Sequence, residues 1–66
     1  MTGSEAVRYM IKESNSSIKE LAALLEMDYQ ALRNKLYKNN FSFNEIQRIA
    51  EVLGFGIQFV KQFSTH

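Results

Sequence analysis

Residues 29–44 carry Arg33, Lys35 and Lys38 and no acidic side chain, interleaved with Gln30, Asn34, Asn39, Asn40 and Asn44. Two chemistries suit such a set. Arg and Lys neutralise phosphates and release their counterions. Arg, Asn and Gln can offer paired hydrogen bonds to guanine or adenine edges in the major groove of a duplex. The charge is local. Residues 1–28 set Arg8, Lys12 and Lys19 against Glu5, Glu13, Glu20, Glu26 and Asp28, and residues 45–66 balance Arg48 and Lys61 with Glu45 and Glu51. The formal net charge of +1 therefore conceals a basic centre. A merely solvated helix face has the same composition, so charge alone leaves the plainer reading open.

Other chemistries find little to work with. The chain has no Cys, which removes disulfides, thiolate metal sites and cysteine nucleophiles. Its one His is His66, the last residue, where a triad or a zinc site would sit on a fraying end. Glu45 and Glu51 are not read as a catalytic pair, because one of them fits a capping role. An enzyme is not expected, nor a cofactor, a metal or a small-molecule ligand. The longest apolar run, 21–25, is far short of the roughly 20 residues that span a bilayer. The opening Met-Thr-Gly-Ser-Glu has neither a basic nor an apolar region of the secretory kind, so a cytoplasmic location is expected.

At 66 residues, 45% hydrophobic and 23% charged, the chain reads as a single folded domain over 1–66. A chain this short buries only about 60% of its unfolded surface. Tight helix packing, self-association or both must supply the missing stability.

Four helical stretches are expected, with no Pro to break them. The first covers about 5–14, with Ala6, Val7, Met10 and Ile11 on one face and Thr2 or Ser4 as its cap. The second covers about 18–25. Ser17 and Glu20 form a capping box there, and Ile18, Leu21, Ala22 and Leu25 form its stripe. The third covers about 29–37, capped by Asp28 and stapled by Met27 and Leu32. Leu32 and Leu36 are its buried positions, supported by Ala31. A second box, Ser42 with Glu45, opens the fourth, with Phe41 and Ile46 as staple, Phe43 toward the core, and Ile46, Ile49, Ala50 and Leu53 as stripe. Gly54 closes it at the left-handed position.

The ending differs. Phe55, Ile57, Phe59, Lys61 and Phe63 alternate with Gly56, Gln58, Val60 and Gln62, a period of two that predicts a strand over 55–63. The rest of the chain offers it no partner strand. Pairing with the same strand of a second copy would satisfy its open backbone groups, so Phe55, Ile57, Phe59, Val60 and Phe63 are the expected homodimer contact. The plainer alternative is an irregular tail packed over the monomer's own core.

A short capped helix, a tight break and a second short helix with a polar outer face make a helix-turn-helix pattern. The run Ser17-Ile18-Lys19-Glu20-Leu21-Ala22-Ala23-Leu24-Leu25-Glu26-Met27-Asp28-Tyr29-Gln30-Ala31-Leu32-Arg33-Asn34-Lys35-Leu36 resembles the helix-turn-helix of the phage repressor and Cro group, the XRE type. Ile46-Gln47-Arg48-Ile49-Ala50-Glu51-Val52-Leu53-Gly54 resembles the helix that follows it in that group. The likeness covers about 5–54. Ile18 stands where many members carry Gln, and Glu26 where many carry Gly.

The resemblance implies a mostly α, lambda-repressor-like four-helix bundle, here with a C-terminal β-strand for dimerisation. It implies a repressor-like transcription regulator that binds double-stranded DNA. Base contacts would come from Tyr29, Gln30, Arg33 and Asn34. Phosphate contacts would come from Ser17, Lys19, Lys38, Asn39 and Asn40. Asp28 and Lys35, on the same helix, complete the candidate set. Plainer roles exist for several: Tyr29 packing over the turn, Asn39 and Asn40 shaping a loop. The competing expectation is a protein-interaction module, an antitoxin or adaptor, on the same scaffold.

Overall fold

A computed structural model describes residues 2–57 of the chain. Four helices follow one another: α1 (Gly3–Glu13), α2 (Ile18–Leu24), α3 (Tyr29–Lys38) and α4 (Phe43–Leu53). The expected all-helical body is present. Its boundaries differ mainly at the starts, where α1 and α4 each gain residues that the apolar stripe does not mark.

Each helix begins at a hydroxyl or carboxylate cap. Thr2, Ser17, Asp28 and Ser42 accept from the backbone N–H of Glu5, Glu20, Ala31 and Glu45 at 3.0–3.2 Å. Such a bond satisfies one of the donors that a first turn leaves open. Glu5 and Glu45 return the bond to the cap residue's own N–H, which completes two capping boxes. At Ser17 only the first of the two bonds forms, so the expected box there is half made. Thr2, not Ser4, caps α1.

The helix ends share a device too. Asn15, Glu26, Asn39 and Gly54 have φ of 56°, 54°, 53° and 83°. The next residue in each case donates its N–H to the carbonyl five positions back: Ser16 to Ile11, Met27 to Ala22, Asn40 to Lys35 and Phe55 to Ala50. These are Schellman closures, which reverse the chain and satisfy a terminal carbonyl. Asn tolerates the left-handed region. Glu26 adopts it against a steric penalty of roughly 1–2 kcal/mol.

Among the described residues nine buried side chains make the core: Val7, Met10 and Ile11 from α1, Leu21 and Ala22 from α2, Leu32 and Leu36 from α3, Ile49 and Ala50 from α4. The helices pack as two pairs, α1 on α4 and α2 on α3, with α1 also touching α3 and α2 touching α4. Leu32 has no exposed surface, and α1 and α2 pack against α3 from behind. Three expectations change. Ala31 is exposed, because it lies on the opposite flank from Leu32 and Leu36. Ile18 and Leu25 are only half-buried at the edges of the core. Phe43 is 52% exposed although it continues the stripe of Ile46 and Ala50, because it stands at the very start of α4.

The expected strand finds no support. Residues 55–57 belong to no helix or strand. Phe55 is half-buried against the protein's own core, where the closure at Gly54 delivers it. Ile57 is exposed. Phe59, Val60 and Phe63 lie outside the described residues. No described helix is long and apolar enough to cross a membrane.

Candidate nucleic-acid interface

The polar residues of α3 fall into two rows. A helix turns about 100° per residue, so side chains four apart stack in register. Gln30, Asn34 and Lys38 form an outer row, all exposed and without a side-chain partner among the described residues. Tyr29, Arg33 and Tyr37 form a second row about 100° further round, on the flank toward α1. Behind both run Leu32 and Leu36, buried in the core.

The second row borders a cleft of about 340 Å³ lined by Arg8, Ile18, Tyr29, Arg33, Leu36 and Tyr37. The guanidinium of Arg33 lies 5.7 Å from the centroid of the Tyr29 ring, a cation–π contact that holds it on this flank. Tyr29 is half-buried, as the plainer reading of it implied. Tyr37 is 87% exposed, an unusual position for a large aromatic ring.

Other candidates serve the protein itself. Lys35 Nζ lies 2.7 Å from Glu45 Oε2 and donates to the Asn40 carbonyl at 3.0 Å, tying α3 to the start of α4. It also sits 5.6 Å from the Phe41 ring centroid. The Lys35 bond, then the Ser42 backbone N–H, holds the Glu45 carboxyl below its usual range. Asn39 Oδ1 accepts from the Ser4 N–H at 2.8 Å, and the buried Ser4 hydroxyl donates to the Leu36 carbonyl at 2.6 Å. Asn39 is therefore a lock between α1 and α3 as well as a left-handed cap. Asp28 is occupied as the α3 cap and Ser17 as the α2 cap. Lys19 and Asn40 are exposed.

The candidate set thus divides. The structure gathers Tyr29, Gln30, Arg33, Asn34 and Lys38 on the outward side of α3 and turns Lys35 and Asn39 inward. It adds Arg8 and Tyr37, which the sequence reading did not single out. The four-residue spacing from Tyr29 to Arg33 to Tyr37 is visible in the sequence. The approach of Arg8 is not, because it depends on how α1 docks on α3. Among the described residues no three His, Cys, Asp or Glu side chains are grouped to hold a metal. Compared with protein-family models, with curated proteins and with solved structures, the chain gives no match.

Proposed function

We propose that the chain is a sequence-specific DNA-binding regulator of transcription that lays α3 in the major groove. The observation that carries this reading is the outer row of α3. Gln30, Asn34 and Lys38 point away from the body with their donors and acceptors uncommitted, on a helix anchored by Leu32 and Leu36. Gln and Asn side chains can each pair with the N6 and N7 edge of adenine, and such a pair discriminates against the wrong base by about 1–3 kcal/mol. Lys38 at the end of the row, and the exposed Lys19 and Asn40, suit the phosphates that flank the groove. A rigid helix with a short polar row enters a groove of duplex width, as recognition helices do.

In this reading two copies read half-sites about 34 Å apart on a two-fold symmetric site. Their pairing would use the chain after Gly54. With three to four phosphates held by each copy, log affinity falls against log salt with a slope of about −5 to −7. The test is a gel shift on random genomic fragments at rising salt, followed by selection of bound sequences from a random pool. Salt-dependent binding and an enriched two-fold motif are expected. Absence of any affinity for DNA at low salt would return the chain to the class of protein-interaction modules. Sedimentation at micromolar concentration checks the pairing, and a monomer on and off DNA removes it.

A further inference from the structure

We propose that Arg8 and Arg33 clamp one backbone phosphate in the cleft between α1 and α3, so that Arg33 holds the strand and does not read a guanine. This rests on the DNA reading above and assigns a task within it.

Three observations converge. Arg33 lies one residue, or about 100°, round the helix from Asn34. When Gln30 and Asn34 face the base edges, Arg33 faces sideways toward the groove wall, where the sugar–phosphate strand runs. Its guanidinium lies 5.7 Å from the centroid of the Tyr29 ring, which draws it to that side. Second, the cleft brings an arginine from another helix into its wall. Arg8 and Arg33 line it together, with no carboxylate in its walls and no ion pair to either among the described residues. Two like charges at one cleft repel unless an anion enters between them. Third, the remaining walls suit a phosphodiester. The planar guanidinium matches the tetrahedral oxygens in pairs, and the Tyr29 and Tyr37 hydroxyls are donors of the kind that phosphate oxygens accept. Ile18 forms the α2 wall of the cleft, one residue before the exposed Lys19.

The cleft is open on the solvent side, with Arg8, Arg33 and Tyr37 all exposed, which fits a ribbon lying across it. It also makes α1 a DNA-contacting element.

The experiment measures affinity for the selected site over a range of salt, together with base preference, for the full chain and for Arg33→Ala, Arg8→Gln and Arg8→Lys. Both arginines are exposed, so circular dichroism should find all three variants folded. The expected result is that Arg33→Ala and Arg8→Gln each flatten the log–log salt slope by up to about 1.8, at most about 0.9 for each of the two half-sites, and weaken all sequences alike, with the selected motif unchanged. Arg8→Lys keeps the charge and keeps the slope. If Arg33→Ala instead costs about 5- to 150-fold at a single base pair and leaves the rest of the motif alone, Arg33 reads a base and the clamp is wrong. An unchanged slope in Arg8→Gln overturns it equally, while the DNA reading stands. Wild-type protein that binds no DNA removes both.

Discussion

The two sides of α3 are built from the same residue types and are used differently. On the inward side every polar side chain has a partner: Lys35 holds Glu45 and the Asn40 carbonyl, and Asn39 holds the Ser4 N–H. On the outer row Gln30, Asn34 and Lys38 hold nothing among the described residues. A basic, amide-rich helix is thus half structural and half available, and only the docking of the other helices decides which half is which. The contrast teaches that a count of positive charges overstates an interface. Of the three cations in residues 29–44, Lys35 is already spent on α4.

The contrast can be broken most forcibly from behind. Leu32 has no exposed surface and lies in the middle of the core. Leu32→Ala removes three heavy atoms there and is expected to cost about 2–5 kcal/mol, a large share of what a domain of this size has. Thermal unfolding followed by circular dichroism reads it. A loss under 1 kcal/mol would mean that α3 is not anchored as described. The same substitution one step outward separates the sides. Asn34→Ala should leave the melting curve almost unmoved, since the side chain is exposed in mid-helix where Ala is favourable. On DNA it should cost about 1–3 kcal/mol, confined to one base pair of the selected site. If Asn34→Ala lowers stability and spares binding, the outer row is not the reading face.

The turn that aims α3 offers a smaller effect. Glu26 is the one non-Asn side chain in the left-handed region among the described residues. Glu26→Gly relieves that backbone and removes an acid from the C-terminal end of α2, against the greater unfolded-state entropy of Gly. A net gain of about 0.5–1 kcal/mol is expected from denaturant titration. A loss would show that Glu26 contributes a contact which outweighs its backbone strain.

What the sequence made legible follows from range. The four caps could be read because a cap is a local event: a Ser, Thr or Asp three residues before a backbone N–H needs nothing from elsewhere in the chain. Gly54 and the loop at Asn39 and Asn40 were legible for the same reason. Glu26 was noted only against the Gly common in the resembled group, because no local rule sends a Glu to positive φ. The bonds that sort α3 into two sides could not be read at all. Ser4 reaches Leu36 across 32 positions and Asn39 across 35, and Arg8 meets the α3 flank only through helix packing. Over 55–57, the described part of the expected strand, no strand forms, for a related reason. The alternation at Phe55 and Ile57 is real, but Phe55 is recruited by the closure at Gly54, a use that period two does not reveal.

The smallest effect probes the inward side through pH. The Lys35 bond, and after it the Ser42 backbone N–H, lowers the Glu45 carboxyl from its ordinary value. A carboxyl whose folded pKa lies below its unfolded value stabilises the fold above the unfolded value, and that contribution disappears as pH falls through the folded one. The window therefore lies below the ordinary glutamate range, from about pH 4 downward. Glu5 behaves likewise, lowered first by the Thr2 backbone N–H and then by its hydroxyl. Both groups are well solvated, so each effect is modest. Urea titrations between pH 3 and 6 should show wild-type stability declining over that window. Glu45→Gln should be less stable at pH 6 and decline less on acidification, the residual slope belonging partly to Glu5. The Gln side chain can still accept from the Ser42 N–H, so the difference isolates the ion pair with Lys35. Parallel curves for the two proteins would mean that Lys35 is not held by Glu45 in solution, and that the inward side of α3 has a free cation after all.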